Sequence, residues 1–314
     1  MIIATNKYYH RHPQVRTTAS AISMWIAIAM FANSQDRESD SESQRISSLA
    51  QRLVEAMESL GSALSEEVQS KLREARSSEN ASEVESLLDR LAVARVIINP
   101  ESRVKVEAGA ASPTLQQSGY VPWIIKIENQ GAVKSPIQVH SPQAGPSYSG
   151  VALLSMQRQD QLELRNNEAK PDSPRRFLHF EWFAQPPMSS VPSGAKTEYA
   201  ILLVYSSESG KREATLEFSV GSGTQDLGFR AQMPVLLDVR PAVPVALDIR
   251  DDEGAAAFAR LTIRDKQGHV YPPQPRRLAP DLFFQQQIYR ENGESVLLPP
   301  GEFIVEYTQG PESI

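Results

Sequence analysis

The chain has 314 residues, 40% of them hydrophobic and 22% charged, which is enough for about two or three domains with buried cores. It contains no cysteine, and this excludes disulfide scaffolds, cysteine zinc sites and thiol nucleophiles. The net charge is −6, and no Lys/Arg-rich run interleaves with aromatic residues, so nucleic acid is not expected as a partner. The 22 prolines outnumber the 16 glycines, which favours short strands joined by turns over a helical bundle.

Residues 1–34 have the three parts of a signal peptide. Its basic residues are Lys7, Arg11 and Arg16, and no acidic residue accompanies them. An apolar run of about 14 residues follows at 19–32, and Ala32 and Ser34 are small residues at the positions that a signal peptidase reads. We therefore predict cleavage and export to the periplasm, the cell surface or the medium, with no membrane span afterwards. The alternatives are an uncleaved anchor or no signal.

Residues 35–45 are predicted to be a charged, serine-rich linker, and residues 46–98 a helical segment. Apolar residues recur at helical spacing in three stripes: Ile46, Leu49, Leu53, Met57 and Leu60; Leu64, Val68, Leu72 and Ala75; Val84, Leu87, Leu88 and Leu91. Gly61 ends the first helix, and Asn80 caps the third with Glu83 in capping-box spacing. We expect a helical hairpin or three-helix unit. The alternative is a coiled-coil oligomerisation segment, but Gly61 and Asn80 interrupt its stripe.

From Arg103 onward the period of the apolar pattern is two, and residues 100–240 predict a first β-sandwich. The alternating apolar residues include Trp123, Ile125 and Ile127 on one strand and Leu216, Phe218 and Val220 on another. An apolar strand near 199–205 and a Ser/Gly turn precede the second of these. The stretch at 140–195 is rich in Pro, Ser and Gln, so long loops are expected there.

Residues 243–309 predict a second, smaller sandwich. Its inward-facing residues are predicted to be Val245, Leu247 and Ile249, followed by Ala259, Leu261 and Ile263. Turns are expected at 251–254 and 265–268, where Asp precedes Gly. The predicted fold class is therefore mainly β with an N-terminal α-helical segment and two Ig-like or prealbumin-like β-sandwiches.

The end of this region has three further signals. Asn292-Gly293 is a hairpin signal, and 299–301 is a Pro-Pro-Gly turn. In the last strand Phe303, Val305 and Tyr307 alternate with Glu302, Ile304 and Glu306, the period-two pattern of a half-buried strand. Residues 310–314 then begin a linker.

No set of residues supplies a nucleophile, a base and an orienting group together, so we predict no catalytic residue, no metal, no cofactor and no enzymatic activity in this chain. His10 and His12 have a metal-ligand spacing but lie in the signal. The stretches 145–150 and 221–226 each miss a catalytic or nucleotide-binding motif by one residue. An acidic turn offers calcium ligands, but a solvated hairpin is the simpler interpretation; its residues are Asp248, Asp251, Asp252 and Glu253.

Three aromatic residues are candidate ligand contacts: Trp182, Tyr271 and Tyr289. Trp182 follows Glu181, and an aromatic platform beside a carboxylate suits a sugar. The competing interpretation places these aromatic residues in the core. Exposure on one face would favour a binding module, and burial of all three would count against it.

The stretches "VALDIRDDEG", "ARLTIRDKQGHVYPP" and "ENGESVLLPPGEFIVEYTQGPE", within 245–313, carry a resemblance to a known family. They resemble a segment of secreted planctomycete-type proteins, where it precedes a PHP-type metallohydrolase domain of the CehA/McbA class. The segment looks like a carboxypeptidase regulatory-like, prealbumin-type sandwich. The resemblance implies that a catalytic domain would follow residue 314, and no metal ligand of that domain matches a residue here.

The sequence therefore predicts a non-catalytic accessory region of an exported metallohydrolase-like protein, whose partner is the adjacent catalytic domain. The alternative is a stand-alone extracytoplasmic binding module for cell-surface carbohydrate or protein. A third hypothesis, an enzyme in its own right, would require chelator-sensitive activity in the purified chain.

Overall fold

The computed structural model describes residues 41–144, 176–221, 231–274, 277, 281–282 and 284–308. The chain divides into two compact units, residues 1–45 and 46–314. In the first unit the described residues, 41–45, are helical, so the predicted linker is wrong there. Several predictions lie outside the described residues: the signal peptide at 1–34, the linker residues 35–40 and 310–314, and the stretches 145–150 and 222–226.

The described helices are α1 at 41–59, α2 at Glu66–Ser77 and α3 at Ala81–Asp89. Gly61 ends α1 with a φ of +68°, a conformation that glycine adopts without a steric cost. The Ser65 side chain caps α2, and the Asn80 side chain caps α3 by accepting from the Glu83 backbone N–H at 3.1 Å. The predicted boundaries at Gly61 and Asn80 are confirmed. Of the described helices, none is long and apolar enough to cross a membrane.

Nine strands of the first sandwich lie within the described residues. They are β1 (Ala92–Ile98), β2 (Val104–Ala108), β3 (Thr114–Gln116), β4 (Tyr120–Asn129), β5 (Ile137–His140), β6 (Leu178–Trp182), β7 (Thr197–Ser206), β8 (Gly210–Val220) and β9 (Gln232–Arg240). Sheet A has the order β2-β1-β4-β7-β6, and sheet B has the order β3-β9-β8-β5. The prediction of helix up to residue 98 is wrong from Ala92 onward, because the β-branched run of β1 pairs with β4 in parallel and with β2 antiparallel.

Sheet A is the middle layer of three. On one face Trp123, Ile125 and Leu202 pack against sheet B, and on the other face Ile124, Ile201 and Leu203 pack against the helices. Both faces of β4 and β7 are therefore buried, which explains their nearly continuous apolar sequences. The expected helical unit is thus the outer layer of the first sandwich, which starts at β1 rather than at residue 100.

In the second sandwich the structure describes six strands. They are β10 (Val243–Ala246), β11 (Phe258–Arg264), β12 (Val270–Tyr271), β13 (Ile288–Glu291), β14 (Ser295–Leu298) and β15 (Ile304–Thr308). Strands β10 and β14 form one small sheet; in the other, β11 pairs with β12, β13 and β15. Its core residues are Ala259, Leu261, Ile263, Tyr271, Ile288, Val296 and Leu298. The predicted fold class, mainly β with an N-terminal helical segment and sandwich-like packing, is confirmed.

Three details of this sandwich differ from the prediction. Asn292-Gly293 does form a turn, but β13 pairs with β11 and β14 with β10, so the turn carries the chain between sheets instead of closing a hairpin. Strand β15, expected to be half buried, is exposed at all five residues. Val245 on β10 is exposed too. These strands lie at sheet edges, where the opposite layer does not cover them.

Candidate functional site

Strand β15 carries apolar side chains on an uncovered core face. It pairs with β11 so that Tyr307 lies opposite Leu261 and Val305 opposite Ile263. Directly opposed residues share one face of a sheet, so Tyr307 and Val305 lie on the face that buries Leu261 and Ile263. Nevertheless Tyr307 is 74% exposed and Val305 50% exposed. Ile304 lies opposite Arg264 on the other face and is 61% exposed. We name Ile304, Val305 and Tyr307 the open edge, of which Val305 and Tyr307 occupy the core face.

The backbone of strand β15 is also available to pair with a further strand. Within the described residues β15 pairs only with β11, which leaves its other side without a strand partner. Natural edge strands are usually protected by proline, lysine, bulges or a covering element, and 304–308 contains neither proline nor lysine. Glu306 is its single charge, and Arg264 Nη1 lies 3.0 Å from its carboxylate on the same sheet. The open edge can therefore accept a further strand.

The opposite face of the same sheet bears an aromatic pair. Arg260 on β11 lies opposite Tyr289 on β13, and Phe258 lies opposite Glu291. Phe258 and Tyr289 are both more than half exposed, on the face that points away from the core. We name Phe258, Arg260 and Tyr289 the outer platform.

The three predicted ligand contacts are not brought together. Tyr289 belongs to the outer platform. Tyr271 is only 3% exposed, and its hydroxyl donates to Asp265 Oδ2 at 3.0 Å, so it offers no surface to a ligand. Burial raises the pKa of the Tyr271 hydroxyl, and the neighbouring Asp265 carboxylate raises it further. Trp182 is partly buried and packs against the core of the first sandwich. Its indole N–H has no acceptor among the described residues.

A cluster of polar side chains at the turn between β11 and β12 was not predicted from the sequence. His269 Nδ1 lies 2.9 Å from Asp265 Oδ2, and Asp265 Oδ1 accepts from the backbone N–H groups of Gln267 and His269. The imidazole of His269 stacks on the ring of Tyr120, with 4.6 Å between centroids and 23° between planes. Sequence reasoning treated this segment only as a turn, because Tyr120 is distant in sequence.

The turn touches two layers of the first sandwich. Tyr120 on β4 lies opposite Tyr205 on β7, which lies opposite His179 on β6, so the three form a row across sheet A. Gln267 Nε2 donates to the Ser59 carbonyl at the end of α1, at 2.9 Å. The turn therefore contacts both a helix end and the middle sheet. We name Asp265, Gln267 and His269 the turn cluster.

The electrostatics of the turn cluster favour an ion pair. The hydrogen bond to Asp265 raises the pKa of the His269 imidazole despite its partial burial, and the charges of Asp265 and Glu181 add to the effect. Burial raises the pKa of the Asp265 carboxyl, but the hydrogen bond and the charge of His269 outweigh it, and the net pKa is lowered. The pair thus favours imidazolium beside carboxylate.

The described residues contain no group of three or more His, Asp and Glu placed to hold a metal ion. In the acidic turn, Asp251 Oδ1 accepts from the backbone N–H groups of Glu253 and Ala255, and Asp248 pairs with Arg250 at 2.8 Å. These carboxylates therefore serve the local turn.

Comparison with known proteins leaves the family open. No protein-family model matches the chain, and no curated protein matches it. One solved structure with some similarity is the crystal structure of a cysteine protease inhibitor from Entamoeba histolytica. The two share 10% identity, the match covers 46% of this chain and 95% of the inhibitor, and the TM-score is 0.18. A TM-score this low carries no argument about fold or function.

Proposed function

We propose that this chain is a non-catalytic accessory region of an exported metallohydrolase-like protein, and that its second sandwich docks on a metal-dependent hydrolase domain. The open edge supports the proposal, because apolar side chains on the core face of a sandwich are normally covered by another strand or layer. Resemblance of residues 245–313 to the segment that precedes PHP-type hydrolase domains suggests the kind of partner.

The physical gain from docking comes from two sources. Covering Val305 and Tyr307 removes apolar area from water, and full burial of one such side chain contributes about 1.5–3 kcal/mol. A strand added beside β15 also pairs its free backbone N–H and C=O groups. Such a strand would carry apolar residues at alternate positions, facing Val305 and Tyr307.

The test is a binding titration between the purified chain and a purified PHP-type metallohydrolase domain from the same genome, followed by fluorescence anisotropy. We expect saturable binding that weakens about tenfold or more in the Val305→Ser, Tyr307→Ser double variant, since buried anchors dominate interfaces. Tyr289→Ser, on the opposite face, is the matched control and should bind like the wild type. Absence of binding, or equal weakening by Tyr289→Ser, would overturn the docking proposal.

The proposal that this chain is not catalytic needs a separate test. The purified chain is assayed for phosphoesterase activity with Mn²⁺ or Zn²⁺ added. We expect no turnover above the buffer rate. Activity that a chelator abolishes would show that the chain is an enzyme.

A second candidate function is a stand-alone binding module for cell-surface carbohydrate or protein, and the outer platform favours it. Exposed aromatic rings that flank an arginine suit both stacking and polar contacts with a ligand. On a glycan array, this function predicts a ligand whose binding Phe258→Ala and Tyr289→Ala each weaken, whereas Tyr307→Ser leaves it unchanged. An array without a ligand would count against it.

A further inference from the structure

The turn cluster joins the two sandwiches through a titratable side chain. The His269 ring of this cluster stacks on Tyr120 of sheet A, and the Gln267 side chain donates a hydrogen bond to the Ser59 carbonyl at the end of α1. Asp265 and His269 belong to the second sandwich, whereas Tyr120 belongs to the first. The contact is therefore made between the sandwiches, and one of its partners changes charge near neutral pH.

We propose that the turn cluster is a protonation-dependent latch, which holds the second sandwich against the first while His269 is an imidazolium and loosens when His269 is neutral. This proposal uses residues separate from the open edge and from the outer platform. It also stands whether or not the docking proposal holds.

The surroundings of His269 favour the charged ring. Among the described residues, the titratable groups around the latch are Asp265 and Tyr271 from the second sandwich, Tyr120 on β4, Tyr205 on β7, and His179 and Glu181 on β6. Two of them, Asp265 and Glu181, act on His269 as carboxylates and raise its pKa. A cation over an aromatic face gains an attraction that a neutral ring lacks. Deprotonation therefore weakens the stack on Tyr120 and the ion pair with Asp265 together.

The direction of the pH effect follows from linkage. The folded pKa of His269 is raised above that of an unfolded histidine, about 6.5. The stabilisation is therefore complete below the unfolded pKa and is lost as the pH rises through the folded pKa. The latch is closed on the acidic side and opens on the alkaline side.

The absence of cysteine makes a direct measurement possible, because two labels can be placed without a background. Glu213→Cys on β8 and Asp252→Cys in the acidic turn are exposed positions in the two sandwiches. Spin labels at both report the distribution of distances between the sandwiches, from about pH 5 to about pH 9. NMR of the imidazole gives the pKa of His269 in the same chain.

We expect one narrow distance distribution at low pH and a second population that grows through the measured pKa of His269. In Asp265→Asn the pKa of His269 falls, so the transition moves to lower pH; Tyr120→Leu populates the open state across the range. His140→Gln removes an exposed histidine on β5 and is the matched control. Distances that do not change with pH, or a transition that Asp265→Asn leaves in place, would overturn the latch.

Discussion

At the scale of single residues, a buried arginine holds the connection between β12 and β13 in place. Arg277 is fully buried, and its guanidinium donates to main-chain carbonyls of the connection between β12 and β13, including those of Pro272, Gln286 and Gln287 at 2.8 to 3.1 Å. Arginine stays charged in proteins and supplies five N–H donors in a rigid fork. One side chain thus joins residues at the two ends of this connection, Pro272 on one side and Gln286 and Gln287 on the other.

Replacing this arginine should destabilise the second sandwich. Arg277→Met deprives several main-chain carbonyls of a donor that is itself fully buried, and we expect a loss on the order of 3 kcal/mol in the free energy of unfolding, measured by urea titration. Arg250→Met removes an exposed arginine that pairs with Asp248, and should change stability by about 0.5 kcal/mol or less. Equal effects of the two variants would contradict the organising role of Arg277.

A buried lysine anchors α3 to sheet A. Lys126 Nζ lies 2.8 Å from Glu85 Oε1 and 2.8 Å from Asp89 Oδ2, and the Tyr199 hydroxyl also donates to Asp89. Burial lowers the pKa of Lys126, but the hydrogen bonds to Asp89 and Glu85 outweigh it and the net pKa is raised. Asp89 therefore satisfies two buried donors at once.

This arrangement predicts an asymmetry between two variants in chemical denaturation. Asp89→Ala removes one acceptor from the Lys126 ammonium and one from the Tyr199 hydroxyl, which leaves each with Glu85, and it should cost about 1–3 kcal/mol. Lys126→Met removes the buried charge and keeps a chain of similar length. The Glu85 and Asp89 side chains that it leaves are 34% and 42% exposed, so water can solvate them and stability should change by about 1 kcal/mol or less. A larger loss for Lys126→Met than for Asp89→Ala would refute this explanation.

At the scale of elements, the paired strands β11 and β15 differ in how far their apolar side chains are buried. Strand β11 buries Ala259, Leu261 and Ile263 under the opposite sheet, whereas the paired strand β15 leaves Val305 and Tyr307 in water. Both strands place apolar residues at alternate positions on the core face. What differs is whether a second layer lies above the strand.

Substitutions in the two strands should therefore change the free energy of unfolding by different amounts. Leu261→Ala removes buried methyl groups and is expected to cost about 2–5 kcal/mol, whereas Tyr307→Ser should change stability by about 0.5 kcal/mol or less in the chain alone. Thermal and urea unfolding of the two variants provide the comparison. A large loss with Tyr307→Ser would mean that the open edge is covered in solution, which contradicts the exposure on which the docking proposal depends.

At the scale of the whole molecule, the turn cluster should give residues 46–314 a pH dependence on two sides. The pKa of Asp265 is lowered, so its contribution is present above an unfolded carboxyl pKa of about 3.9 and is lost as the pH falls through the lower folded value. The contribution of His269 is lost as the pH rises through its raised pKa. Stability from this pair should therefore be greatest between the two transitions.

Urea unfolding over a pH series tests this expectation. Asp265→Asn should flatten the profile on both sides, because it removes the carboxylate and also lowers the pKa of His269. Asp252→Asn, an exposed residue of another turn, should leave the profile as in the wild type. A profile that keeps its shape in Asp265→Asn would exclude the pair as its source.

Much of the fold was accessible from local patterns. Period-two alternation located β11, β14 and β15, and glycine, proline and aspartate marked the turns. Helix ends at Gly61 and Asn80 followed from capping chemistry. The boundary at Ala92 was missed because a short apolar run fits a buried strand and a buried helix equally well, and only its pairing with β4 and β2 decides between them.

The candidate sites depended much more on the tertiary structure. The sequence by itself determined that this protein is mainly β, lacks cysteine chemistry, and has a strand with apolar residues near 303–307, because these follow from composition and short-range periodicity. Only the tertiary structure decided that β4 is buried on both faces, that β15 is left open, and that His269 meets Tyr120. The physical reason is that burial and contact depend on which layer covers a strand, and residues far apart in the chain supply that layer.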